Sequence, residues 1–130
     1  MATKKRRDDS AVDQHALREL MLWQENMQPL YHQELKIRGN IARKMLRGTY
    51  DPKLAPKLWM YLADATSKSY KNEFGSGFDI ATRRAASRFW AEHFEKEVRD
   101  WAKEIGKTRF LRETVELGTK AFEGNPIRLT

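Results

Sequence analysis

A stripe of apolar residues between positions 80 and 105 constrains the fold of this chain more than any other feature. Its side chains recur at every third or fourth position: Ala86, Trp90, Phe94, Val98, Trp101 and Ile105. This spacing places them on one face of an α-helix, whereas a half-buried strand needs an apolar residue at every second position. The stripe therefore predicts a long helix with one buried face. We expect Trp90, Phe94 and Trp101 to be largely buried there.

Capping and helix-breaking residues predict two helices before position 50. Ser10-Ala11-Val12-Asp13 has the form of a capping box, which would start a first helix that runs to about Gln28. Pro29 suits the first turn of a second helix, or the kink of a continuous one, because it lacks a backbone donor. Gly39-Asn40 indicates a bend in this second helix, and Gly48 suits its C-terminal end.

Similar signals predict the later helices. Asp51-Pro52 suits an N-cap followed by proline, and residues 52–56 are expected to form a short turn before a third helix. This third helix is expected to end near Phe74-Gly75. The remaining boundaries are marked by Asp79 as the cap of the long helix, Gly106 as its end, Thr108 as the cap of a fifth helix and Gly124 as its stop.

Together these signals predict an all-α fold, a compact bundle of four or five helices. The helical domain is expected to span residues 10–124. Residues 1–9 are predicted to form a disordered basic tail, because they hold four consecutive cations and no large apolar residue after Met1. Residues 125–130 are predicted to form a short C-terminal tail.

The residue types disfavour catalytic and cofactor chemistry. The chain has no cysteine, so neither disulfides nor thiolate-bound metals are available to it. His15, His32 and His93 lack the partner spacing of helical metal sites, and no phosphate loop or nucleophile elbow occurs. The best-placed acid, Asp64, precedes Lys68 by one turn and suits an ion pair at the edge of a helix. We therefore expect no enzymatic activity, no cofactor, no metal and no small-molecule substrate.

Neither a membrane span nor a secretion signal is predicted. No stretch approaches the roughly 20 apolar residues that a spanning helix needs. The basic N-terminus is not followed by the apolar core of a signal peptide. With the absence of cysteine, this indicates a cytoplasmic protein with no membrane partner.

Seven cations and a single acid, Asp51, lie between Lys36 and Lys57 in a chain of net charge +7. Such a run is unfavourable unless solvent or a polyanion takes up its charge. On a helical wheel Lys36, Arg43 and Arg47 lie within about 40° of one another and form what we term the basic ridge. The ridge predicts contact with the phosphate backbone of a nucleic acid. Its predicted extension consists of Lys44, Lys53 and Lys57.

A second basic cluster opens the long helix and consists of Arg83, Arg84 and Arg88. If it aligns with the basic ridge, both would contact phosphates. With residues 62–73 and the loop at 75–78, the cluster also has the order of a helix-turn-helix, whose second helix reads the major groove. However, that loop exceeds the usual three to four residues. The arginines could instead pair with carboxylates of another helix.

Three segments resemble a pattern of small uncharacterised helical proteins of bacterial viruses and bacteria. They are Gly48-Thr49-Tyr50-Asp51-Pro52-Lys53-Leu54-Ala55, Ala63-Asp64-Ala65 and Tyr70-Lys71-Asn72-Glu73-Phe74-Gly75. The resemblance covers residues 37–95. It implies a setting in the bacterial cytoplasm and a phage accessory gene, but it carries no known activity and no functional residues.

The alternative prediction is a protein-interaction module, such as a phage-encoded inhibitor of a host protein or a virion component. It would bind through an exposed aromatic or charged face of a helix. Trp59, Trp90 and Trp101 lie on core stripes, so they are predicted to pack rather than to stack on bases. One continuous positive face would favour nucleic acid, whereas scattered cations with an exposed apolar patch would favour a protein partner.

Overall fold

The computed structural model describes residues 12–123, which form five α-helices. They are α1 (Gln14–Asn26), α2 (Gln28–Arg47), α3 (Ala55–Phe74), α4 (Ile80–Glu104) and α5 (Lys107–Glu123). No strand occurs within residues 12–123, so the prediction of an all-α helical bundle is confirmed. The two predicted tails, residues 1–9 and 125–130, lie outside the described residues.

Several predicted boundary residues act as expected. The Asp79 carboxylate accepts a hydrogen bond of 2.9 Å from the backbone N–H of Thr82 and caps α4. Pro29 lies in the first turn of α2, where a backbone donor is not needed. Gly48 and Gly75 end α2 and α3 with φ angles of 75° and 91°. Glycine adopts this left-handed conformation without a Cβ clash, which explains its presence at both helix ends.

The start of α1 differs from the prediction. Its N-cap is Asp13, whose carboxylate accepts hydrogen bonds from the backbone N–H groups of His15 and Ala16 at 2.9 and 3.3 Å. The predicted start of α1 at Ser10 is therefore wrong, because Asp13, the last residue of that capping box, is itself the N-cap. Ser10 lies outside the described residues. Met27 is extended between α1 and α2, so these are two helices and not one kinked helix.

The predicted cap at Thr108 is also wrong. Helix α5 begins at Lys107, immediately after Gly106, which has a φ of 96°. The chain reverses at this glycine, and the N–H of Phe110 already donates to the Gly106 carbonyl at 3.1 Å. Thr108 consequently lies inside the first turn. Before α3, by contrast, a separate turn occupies residues 52–54, close to the predicted 52–56.

The most extensive contact between helices joins α2 and α5. The two backbones approach most closely at two glycines: a Cβ atom added to Gly118 would lie 2.9 Å from the Cα of Gly39. Helix α2 continues unbroken through Gly39 to Arg47, and the bend expected there stays a prediction. Gly39 permits the close approach of α5. Lys107 at the start of α5 shares a cleft with Gly48, so the two helices run antiparallel.

The core lies between α3, α4 and the α2–α5 pair, and α1 packs against α2, α3 and α4. The largest fully buried apolar side chains are Leu20, Ile41, Trp59, Leu62, Phe94 and Leu111. The predicted burial of Trp90 and Phe94 is confirmed, since they are 7% and 1% exposed. Their rings lie near Trp59, at centroid distances of 6.2 and 6.3 Å. All five helices thus contribute to one apolar interior.

Trp101 was predicted to be buried, but 41% of the residue is exposed, so this prediction is wrong. Its angular position on the stripe is the expected one, but it lies in the last turn of a helix of 25 residues. There the ring of Phe110 stacks on it at 6.0 Å with an angle of 6° between the planes. Phe110 therefore covers one face of the indole, while a substantial part of Trp101 still contacts solvent.

Gly118→Ala should lower the free energy of unfolding by about 1–3 kcal/mol, the cost typical of overpacking. The new Cβ atom would meet the backbone of Gly39 and the carbonyl of Leu35, which cannot rotate away. This loss opposes the gain of about 1 kcal/mol that alanine brings to a helix over glycine. Asn40→Ala, at an exposed position of α2, is the control and should not destabilise. Urea denaturation measures both, and a Gly118→Ala protein as stable as the parent would contradict the close approach.

Replacing the two tryptophans of α4 should have unequal effects. Trp90→Ala should cost about 3–5 kcal/mol, because it removes a buried ring. Trp101→Ala should cost clearly less, because much of that ring already contacts water. Denaturant unfolding of both variants measures the difference. Equal losses would show that Trp101 is as buried as Trp90.

Candidate functional site

A groove of about 780 Å³ lies between α2, α3 and α5. Helix α2 contributes polar side chains and the other two helices contribute mainly apolar ones. The lining includes Lys36, Ile37, Asn40 and Arg43 from α2, Leu58 and Tyr61 from α3, and Val115 and Thr119 from α5. The sequence predicted the cations of this groove, but not the groove itself.

Helical spacing explains why α2 presents cations to the groove. Lys36, Asn40 and Arg43 are separated by four and three residues, so they lie on one side of the helix. On the other side Ile41 is fully buried in the core. The crossing of α2 and α5 at Gly39 brings α5 alongside and closes one flank of the groove.

The groove combines positive charge with an aromatic ring. Lys36 and Arg43 are both exposed, and no carboxylate is among the described residues that line it. Tyr61 is 65% exposed, the most exposed of the large apolar and aromatic residues within 12–123. Ile37, Leu58 and Val115 provide the apolar part of the lining. Such a surface suits a ligand that is anionic in one part and flat or apolar in another.

Arg38 belongs to the same stretch of sequence but not to this surface. Its guanidinium lies 2.8 Å from the Glu97 carboxylate, 3.9 Å from that of Glu34 and 4.7 Å from the centre of the Phe94 ring. Glu34 in turn accepts a hydrogen bond of 2.9 Å from the buried amide of Gln24. These contacts join α1, α2 and α4. The counter-charges for Arg38 therefore come from outside the basic run of the sequence.

The other predicted members of the ridge are exposed but do not line the groove. Arg47 lies one turn after Arg43 on α2, and Lys57 lies one turn before Tyr61 on α3. Lys44 is exposed on α2 and Lys53 in the turn before α3. The structure thus brings Lys36 and Arg43 together in a concave site, and the other four cations are not part of its lining.

The second basic cluster is divided by its contacts. Arg83 lies 2.8 Å from the Asp64 carboxylate of α3 and donates from Nε to the carbonyl of Phe78 at 3.0 Å. Its charge is therefore matched within the protein, and Asp64 pairs across helices. Arg84 is exposed and Arg88 is half-buried. In a helix-turn-helix, an arginine at this position would face DNA. Arg83 instead contacts Asp64 on α3.

A second cleft, of about 550 Å³, lies beside this ion pair between α3 and the start of α4. Its polar lining consists of Asp64, Ser67, Lys68, Lys71, Asp79 and Arg83. Sequence reasoning missed Tyr61, Lys68 and Lys71. Their signal was present, because Lys57, Tyr61 and Lys68 are spaced by four and seven residues and share one face of α3.

A third and smaller cleft, of about 340 Å³, contains a tyrosine that is held by the protein itself. The Tyr50 hydroxyl donates a hydrogen bond to the Glu95 carboxylate. Burial and this carboxylate raise the pKa of Tyr50 well above its ordinary value, so the hydroxyl stays protonated. Tyr50 therefore fastens the segment between α2 and α3 to α4.

The described residues contain neither a metal cluster nor a membrane helix. Within 12–123, no three of the histidine, aspartate and glutamate side chains converge as a metal site would require. None of the five helices is both long and apolar enough to cross a bilayer.

Comparisons with protein-family models, with curated proteins and with solved structures found no match. The groove bordered by Lys36, Arg43 and Tyr61 combines positive charge with a concave shape, so it is the candidate functional site.

Proposed function

We propose that this protein is a small non-enzymatic binding protein that contacts the phosphate backbone of a nucleic acid at the groove between α2, α3 and α5. The observation that carries the proposal is the pairing of two exposed cations with an exposed tyrosine around one concave surface. The described lining residues contribute no carboxylate that would repel phosphate.

The chemistry of the groove suits a polyanion. Arg43 offers a planar guanidinium that can donate two parallel hydrogen bonds to a phosphate, and Lys36 offers a compact ammonium. The Asn40 amide between them can both donate and accept. Each phosphate neutralised in this way releases counterions, so binding should weaken steeply as salt is added.

The proposed setting is the bacterial cytoplasm, with the protein encoded by a phage accessory gene. This rests on the resemblance of the segments between residues 48 and 75 to small proteins of bacterial viruses and bacteria. A polyanion-binding surface is compatible with that setting.

A second candidate function is favoured by a separate observation. The solvent-facing side of Trp101, stacked on Phe110, gives the end of α4 an exposed aromatic surface. Tryptophan is enriched in protein interfaces because it buries a large area at small entropic cost. Under this alternative the protein would be an interaction module, such as a phage-encoded inhibitor of a host protein or a virion component.

Replacing Lys36, Arg43 and Arg47 together by glutamine should weaken binding of every nucleic-acid sequence tested. These side chains are exposed, so the fold should be retained. The log–log slope of affinity against salt should become shallower by roughly 0.9 for each lost contact on duplex DNA and roughly 0.7 on single strands. Fluorescence anisotropy over a salt series measures both effects, and circular dichroism checks the fold.

The matched control replaces Arg18, Lys103 and Arg112 by glutamine. It removes the same charge from exposed positions that line none of the three clefts. It should leave the salt slope nearly unchanged. A parent protein that binds neither duplex nor single strands at about 50 mM salt would remove the proposal and favour the interaction module. Equal affinity of parent and ridge variant would contradict binding at the groove.

A further inference from the structure

We infer that the nucleic acid is single-stranded, and that it runs from the groove along the exposed face of α3 into the second cleft. This inference rests on the proposed function and adds the strand type and the path. It is carried by Tyr61 in the groove and by Lys68 and Lys71 in the cleft.

One face of α3 connects the two sites. At 100° per residue, Lys57, Tyr61, Asp64, Lys68 and Lys71 lie within about 80° of one another. All five are exposed. At 1.5 Å per residue, the face extends over about 21 Å from the first lysine to the last. Because Tyr61 lines the groove and the last two lysines line the cleft, a ligand that follows this face meets both.

Cations outnumber acids along this face, with three lysines and one aspartate. The one acid among its five residues, Asp64, lies 2.8 Å from Arg83, which matches its charge. The second acid of the cleft, Asp79, is engaged in capping α4. Lys57, Lys68 and Lys71 add three further exposed cations to this face. A backbone of phosphates therefore meets cations at both ends of the path.

The groove favours an unpaired strand over a duplex. The exposed Tyr61 ring shares the groove lining with the apolar side chains of Ile37, Leu58 and Val115. An unpaired base can stack on such a ring while its phosphate contacts Arg43. In a duplex the bases are stacked on each other inside the helix, and only phosphates and groove edges are available. An aromatic ring inside a concave site would then contribute little.

Two variants of Tyr61 test the stacking. Fluorescence anisotropy would measure binding of labelled oligo-dT and oligo-U of about 16 nucleotides, and of a duplex of equal length. Tyr61→Leu should weaken single-strand binding roughly 5- to 150-fold, the range for loss of one stacked base, and Tyr61→Phe should retain it. The parent should bind the duplex more weakly than the single strands, and the Tyr61 variants should change the duplex affinity little. Tighter binding of either oligo-dT or oligo-U than of the duplex supports the inference.

A double variant tests the path. Lys68→Gln with Lys71→Gln should weaken binding of the oligonucleotide of about 16 nucleotides but not of one of about 4, which fits within the groove. The charge-matched control, Arg18→Gln with Lys103→Gln, should affect neither length. Equal weakening at both lengths, or none at either, would overturn the path along α3.

The outcomes separate this inference from the proposed function. If duplex binds at least as tightly as single strands, and Tyr61→Leu changes neither, the single-strand inference fails, while sensitivity to the ridge variant keeps the proposed function. If the parent binds no nucleic acid, both fail. Tighter binding of poly-glutamate than of oligo-dT would overturn the inference in favour of an acidic protein partner.

Discussion

The close approach of α2 and α5 at Gly39 and Gly118 sets the position of α5 beside the groove. Neither residue has a side chain, so the two backbones meet directly and α5 lies close along α2. This approach closes one flank of the groove and places Val115 and Thr119 opposite the cations of α2. A side chain at the crossing would separate the helices and change the shape of the groove as well as the stability of the fold.

Helix α2 also shows that net charge and available charge are different quantities. Arg38 and Arg43 are five residues apart and chemically identical. The first is held by Glu97 and Glu34 and packs on Phe94, whereas the second is exposed at the groove. A half-buried guanidinium needs carboxylate partners, which Glu34 and Glu97 provide for Arg38. Arg38 therefore links α2 to α4. The candidate site therefore depends on which side of α2 a cation occupies, and much less on the total of +7.

Local signals in the sequence predicted most of the helices, and the errors have physical causes. Asp79 caps a helix, and Gly48 and Gly75 each end one, through contacts within about one helical turn. Their roles could therefore be inferred from neighbouring residues. The packing role of Gly39 was missed because the helix that packs on it lies about 80 residues away in sequence. Trp101 was predicted to be buried because periodicity gives the angle of a side chain around its helix, but not whether another helix covers that end.

At the site, three features could be inferred from the sequence alone: the residue types, the helical spacing of Lys36, Asn40 and Arg43, and the cationic face of α2. These follow from the geometry of one helix. Tertiary structure decided the groove, the exposure of Tyr61 within it, and the pairing of Arg83 with Asp64 and of Arg38 with Glu97, across 19 and 59 residues. Such contacts depend on how helices pack, and packing is set by the combined burial of all five rather than by any one segment.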